Sequence, residues 1–261
     1  MSEASWKRPL LPSTLVMNLV LYPGMVLWTA MSIILFPFAY VCMRMVRRQW
    51  STGRITRHLI WIYGRVWIII IHPFAPVRLD GAVFLSRSQP AILVSNHNSF
   101  LDIYCFGAFP CSDVAFAVRA WPFRMFWYAP FMRMAEYLNT EELGWDGCLD
   151  AGKKLFGETT SILFFPEGHR SKEGRLQRFY SGPFRLSAET GVPVVPICIV
   201  GTEVVLPPSR HLFRPFPIKV TALPPVDPTR FSGPNKHRDM QRYVKDVMLE
   251  HLRQNRHRTA A

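Results

Sequence analysis

The chain has 261 residues, with 31 Lys and Arg against 18 Asp and Glu, giving a formal net charge of +13. It is 49% hydrophobic and only 19% charged, below the roughly 25% usual for soluble domains, which excludes disordered and fibrous classes. Basic and apolar together point to a membrane surface. The five scattered cysteines (Cys42, Cys105, Cys111, Cys148, Cys198) form no CxxC, which argues against a disulfide framework or a Cys-rich zinc site and suits a reducing compartment.

Leu15 to Met43 carries no charged residue. As one helix it would be about 43 Å long, against a hydrocarbon core of about 30 Å. Pro23-Gly24 and Pro37 either kink that helix or break it into a hairpin that enters and leaves one leaflet. The run is too long for a cleaved signal peptide, and no small-x-small site follows it. Arg44, Arg47, Arg48, Arg54 and Arg57 come next, beside anionic headgroups on the cytoplasmic side. A second apolar run, Leu59 to Ile71, is interrupted by Arg65 and reads as an interfacial or core-packed helix.

From about Arg78 the texture changes. Buried strands are predicted at 91–95, 113–118, 161–165 and 193–200, with a late strand at 215–223. Helices are predicted near 100–108, 123–134, 146–158 and 182–190. This alternation implies an α/β fold, a mostly parallel sheet flanked by helices, with an N-terminal helical membrane anchor. Residues 235–254 form an amphipathic helix with a basic outer face, read as docked on the domain. The expected organisation is 1–77 membrane-anchoring helices, 78–228 the α/β domain and 229–261 the C-terminal basic amphipathic helix.

Asn96-His97-Asn98-Ser99-Phe100-Leu101-Asp102 directly follows a buried strand, where open α/β sheets bind ligands. A histidine oriented by a carboxylate makes a general base. His97 and Asp102 can meet only if His97 precedes the first helical turn and Asp102 lies in it. Ser99 as N-cap permits this, but Ser99-x-x-Asp102 also reads as a capping box with Asp102 turned to the backbone. A second loop, Phe164-Phe165-Pro166-Glu167-Gly168-His169-Arg170-Ser171, ends another buried strand at the same edge. Its arginine suits a phosphate or carboxylate. Glu167 is placed to accept from a glycerol hydroxyl. The aromatic stretch Trp121, Phe123, Phe126, Trp127, Tyr128 and Phe131 reads as core or membrane-facing packing.

His97-x4-Asp102, Phe165-Pro-Glu-Gly-His-Arg170 and Val192-Pro-Val-Val-Pro196 occur in that order. Together they resemble the PlsC-like glycerolipid acyltransferases, the 1-acylglycerol-3-phosphate acyltransferase family, over roughly 78–223. The resemblance implies an acyl tunnel and an N-terminal membrane anchor. It implies His97 as base and Asp102 as its orienter, with Glu167, Gly168, Arg170 and Arg119 holding the acceptor. It implies acyl carrier protein or CoA thioesters as co-substrate, lysophosphatidate as acceptor, and neither metal nor bound cofactor. The expected place is the inner membrane with the domain facing the cytoplasm, the bilayer as partner and no nucleic acid. The sequence departs from the family in four places. Arg119 stands for a usual lysine, Thr140 for a usual arginine, His169 for a common threonine, and 179–184 lacks the usual lysines, leaving Arg124, Arg133, Arg175 or Arg178 to compensate. Another lyso-lipid acceptor, such as a lysophospholipid or lyso-ornithine lipid, is therefore the alternative substrate. A non-catalytic lipid-binding protein is the alternative class.

Overall fold

The computed structural model describes residues 12–171, 174–208 and 210–259. Its first element is one continuous helix, α1 (Pro12–Val46), running through both Pro23 and Pro37. The break into a hairpin within this run does not occur. The hairpin is instead made by α1 and α2 (Thr52–Ile71), which lie antiparallel: Thr29 Oγ1 meets Tyr63 Oη at 2.8 Å and Tyr40 Oη meets Thr52 Oγ1 at 2.9 Å. Ser51 caps α2, accepting from the Arg54 N–H.

A seven-stranded sheet follows, in the order β1-β7-β6-β2-β5-β3-β4. The strands are β1 (Val77–Asp80), β2 (Ile92–Ser95), β3 (Val114–Val118), β4 (Leu138–Asn139), β5 (Ser161–Phe164), β6 (Val194–Val200) and β7 (Ile218–Ala222). All neighbours are parallel except β6 and β7, so β1 and β7 run against the other five. The central strands β2 and β6 are buried at every residue, as unbroken apolar runs covered on both faces must be. Side-chain alternation divides them: Ile92 and Val94 join one core, Leu93 the other.

The first core lies under α6 (Gly144–Gly157), α7 (Gly182–Thr190) and α9 (Lys236–Thr259). Helix α9 buries Met240, Val244, Met248 and Leu252, one every four residues, so it docks on the sheet. The second core collects Met17 and Leu21 of α1, Ile71 of α2, and Leu85 of α3 (Ala82–Arg87). It also takes Leu101, and Cys105 of α4 (Asp102–Cys105). The approach of α2 to the turn after α4 demands glycine, since a Cβ on Gly107 would stand 2.4 Å from the Gly64 carbonyl carbon.

The predicted helix 123–134 is not one helix. It is a 3-10 turn, Trp121–Arg124, and then α5 (Ala129–Met134). Pro122 and Pro130 explain the split, because proline is tolerated only in a first turn. Arg57, grouped with the lipid-facing arginines, is buried. Its Nε bonds Asp113 Oδ1 at 2.7 Å, Nη1 bonds Ala135 O at 3.0 Å and Glu136 Oε2 at 3.2 Å, and Nη2 bonds Thr160 Oγ1 at 3.0 Å. Asp113 and Thr160 immediately precede β3 and β5, so this arginine pins α2 to the amino end of the sheet.

Candidate active site

At the opposite, carboxyl edge, β2 ends in Ser95 and the chain turns through Asn96 and His97 into α4. Asn96 fixes the turn by bonding the neighbouring strand twice: its Nδ2 donates to Ile199 O (2.9 Å) and its Oδ1 accepts from Ile199 N–H (2.7 Å). His97 Nδ1 then lies 2.8 Å from Asp102 Oδ2. The same oxygen accepts the N–H of Asn98 (2.6 Å) and of Ser99 (2.8 Å), while Oδ1 accepts from Thr202 Oγ1 (2.6 Å). Asp102 is 0% exposed. Its orienting and capping roles, alternatives by sequence, are therefore performed by one carboxylate. Capture of the Asn98 and Ser99 N–H groups also explains why α4 starts only at Asp102. Ser99 Oγ accepts from Leu101 N–H at 3.2 Å instead of capping a longer helix.

The loop after β5 holds the histidine from its other side. Glu167 Oε1 accepts His97 N–H (2.8 Å), and Ser171 N–H donates to His97 O (2.8 Å). Glu167 Oε2 accepts Gln177 N–H (2.9 Å). Glu167 is 1% exposed, its carboxylate turned onto these two backbone N–H groups. Burial pushes its pKa up, against the two backbone N–H bonds that favour the charged form. Phe165 stacks on the His97 ring, centroids 4.1 Å apart. Gly168 turns the loop at φ +71°, where the Tyr180 ring leaves no room for a Cβ.

The structure brings His97, Asp102 and Glu167 together and leaves Gly168 and the exposed Arg170 on the adjoining loop. Arg119 does not join them. It follows the last residue of β3, a strand separated from β2 by β5, and its Nε pairs with Glu141 Oε1 at 2.6 Å. Thr202 and Asn96 were missed by sequence reasoning. The only available signal for Thr202 was a Gly-Thr step closing the buried run 193–200 at the same sheet edge. Among the described residues no group of three His, Cys, Asp or Glu side chains is placed to hold a metal ion.

A half-buried His97 paired with a fully buried Asp102 thus stands at the carboxyl edge of a mostly parallel sheet, backed by a Pro-Glu-Gly loop. Residues 76–200 match the family described as Acyltransferase. A chloroplastic 1-acyl-sn-glycerol-3-phosphate acyltransferase of Arabidopsis thaliana is 36% identical over 154 residues, which are 55% of this chain and 42% of that protein. Thus the chain covers less than half the length of this relative. A 1-acyl-sn-glycerol-3-phosphate acyltransferase of Limnanthes douglasii is 25% identical over 240 residues, 87% of this chain and 77% of that one. The crystal structure of the 1-acyl-sn-glycerophosphate acyltransferase PlsC from Thermotoga maritima superposes with a TM-score of 0.72 at 22% identity, covering 92% of this chain and 96% of that chain, and shares its fold.

Proposed function

We propose that the protein is a membrane-associated O-acyltransferase that moves a fatty acyl group from an acyl thioester to the free hydroxyl of lysophosphatidate, forming phosphatidate. The observation that carries this reading is the His97–Asp102 bond on a backbone clamped by Glu167 and Ser171. With Nδ1 committed to Asp102, Nε2 is the nitrogen left for substrate. It takes the hydroxyl proton as the oxygen attacks the thioester carbonyl. The C–O bond forms, the C–S bond breaks, and the proton passes to the departing sulfur, giving a free thiol. Asp102 stabilises the imidazolium that forms between these steps. Acyl carrier protein or CoA supplies the thioester, and a basic protein of net charge +13 steers either acidic donor.

The hairpin supports a bilayer-embedded position at the cytoplasmic face of the inner membrane. Helix α1 is long and apolar enough to cross a membrane, with only 6% of its most apolar window buried in the protein. It touches the domain at both ends of one stretch, Asn18 Nδ2 on Phe213 O and the Phe36 ring on that of Phe131. Those contacts are about 27 Å apart along the helix. A crossing helix would drag the domain through a hydrocarbon core of about 30 Å. The helix turn also carries Arg47 and Arg48, which resist tip-first insertion. We read α1 as lying along one leaflet.

The same chemistry on another lyso-lipid is the second reading. It is favoured by Arg119 being tied to Glu141 and by Thr140 standing where the resemblance has an arginine, which leaves fewer cations for a phosphate. Acyl transfer by the purified full chain, offered a panel of lyso-lipids with labelled thioester and His97→Ala as control, tests both. Phosphatidate from lysophosphatidate alone supports the first reading. Preference for a different acceptor supports the second, and no transfer to any acceptor overturns both.

A further inference from the structure

The segment between β3 and α5 has two unlike sides. Phe123 and Tyr128 pack against the core. Trp121, Phe126 and Trp127 point outward, at 61, 83 and 50% exposure. This is a rigid display. Met125 N–H bonds Pro122 O at 3.1 Å, Tyr128 N–H bonds Met125 O at 3.0 Å and Ala129 N–H bonds Met125 O at 2.8 Å. Three large exposed aromatics on a braced loop are an unusual surface for a protein that needs no partner there.

Two further observations identify the partner. Phe131, just beyond the loop, makes an edge contact with Phe36 of α1 at 4.8 Å between centroids. The aromatic loop is therefore continuous with the stretch of α1 that exposes Ile34, Leu35 and Phe38. Arg124 and Arg133 are exposed beside the rings. Exposed Trp and Phe interleaved with Arg match the headgroup zone of an anionic bilayer, where amphipathic rings settle and guanidinium groups meet phosphate.

We propose that residues 121–127 form a second bilayer contact, independent of α1 in sequence and inserted to headgroup depth. The proposal rests on the reading of α1 as membrane-embedded. It adds that the carboxyl end of β3, and with it the edge of the sheet that carries His97, is held at the interface by its own anchor. A single helix leaves the domain free to roll about the helix axis. Contact at a second place fixes that roll, so the site meets lipid in one orientation.

The test uses the full chain with Cys42→Ser, reconstituted in nanodiscs of phosphatidylcholine with a minority of phosphatidylglycerol. An environment-sensitive fluorophore is attached in turn at Phe126→Cys, at Phe38→Cys on α1 and at Glu250→Cys on the outer side of α9, with the unlabelled-site parent giving the background. The expected result is blue-shifted emission at 126 and 38, quenched by lipids carrying a nitroxide near the headgroup, with water-like emission at 250. Water-like emission at 126 with quenching at 38 overturns the second contact while leaving the embedded helix intact. Shielding at 126 only after acyl carrier protein is added also overturns it, and gives the patch to a protein partner. Water-like emission at both 126 and 38 overturns the embedded helix and the proposal with it.

Discussion

His97 Nδ1 and the Asn98 backbone N–H converge on one oxygen of Asp102, at 2.8 and 2.6 Å. Orienting His97 and building the turn that presents it are thus one act. Asp102→Asn puts an amide where four donors, three of them on one oxygen, need acceptors. It is expected to lower kcat by about ten-thousand-fold, the scale seen when a His loses its carboxylate elsewhere. It should also destabilise the fold by about 1–3 kcal/mol for each buried N–H left unpaired. Steady-state kinetics and denaturant melts on the same preparation check this. A loss of stability with kcat intact would mean that Asp102 only builds the turn.

Thr202 donates to the other Asp102 oxygen at 2.6 Å from the end of β6. Thr202→Val keeps the shape and removes the bond. A fall in kcat of roughly tenfold, with KM for the donor unchanged, is the expected outcome, corresponding to about 1.4 kcal/mol. Thr202→Ser should restore most of it. Equal loss in both variants would assign Thr202 to packing alone.

Burial raises the Glu167 pKa, so the folded protein holds that proton more tightly than the unfolded chain. A raised carboxyl contributes stability that is fully present below its unfolded value and is lost as pH rises through the folded value. Glu167→Gln cannot titrate. The Tm difference, wild type minus variant, should therefore shrink as pH rises from acid through the folded value. At any pH the variant should turn over more slowly, because Gln cannot accept from both His97 and Gln177. A Tm difference independent of pH would remove this linkage.

Arg57→Met strips Asp113 of its 2.7 Å partner and leaves it the 3.3 Å pair with the part-exposed Arg54. The expected cost is at or below about 3 kcal/mol, the lower end for breaking a buried pair, read as a lowered urea midpoint. His97, at the far edge of the sheet, should keep its activity at temperatures where the variant remains folded.

The buried strands 91–95, 161–165 and 193–200 were legible because a parallel strand covered on both faces is an unbroken apolar run, and β2, β5 and β6 lie within those bounds. The reversal of β7 against β6 was not, since strand direction leaves no mark in composition. The edge strands β4, of two residues, and β1, four residues half-exposed in alternation, offer neither an unbroken apolar run nor enough positions for a period to register. The split of 121–134 could have been read from Pro122 and Pro130, which apolar spacing outweighed. At the site, His97 and Asp102 were legible because they lie five residues apart beside one strand end. Thr202 lies 100 residues from its partner, and Arg57 reaches segments near 113, 136 and 160. Such pairings exist only after the chain has folded. The Glu167 carboxylate is turned inward onto two backbone N–H groups 70 and 10 residues away, which the Pro-Glu-Gly sequence does not signal.

Arg57 sits in the α1–α2 hairpin yet is spent inside the domain, and this sets how a less apolar form can be made. Trimming the chain to begin at β1 would strip the guanidinium from Asp113 and Thr160 and remove Ile71 from the second core. The shortened product would trade one greasy surface for a raw internal one. Solubility is better sought by repainting the outer flank of α1, where Leu19, Val26, Leu27, Ile34 and Phe38 are exposed and touch little else.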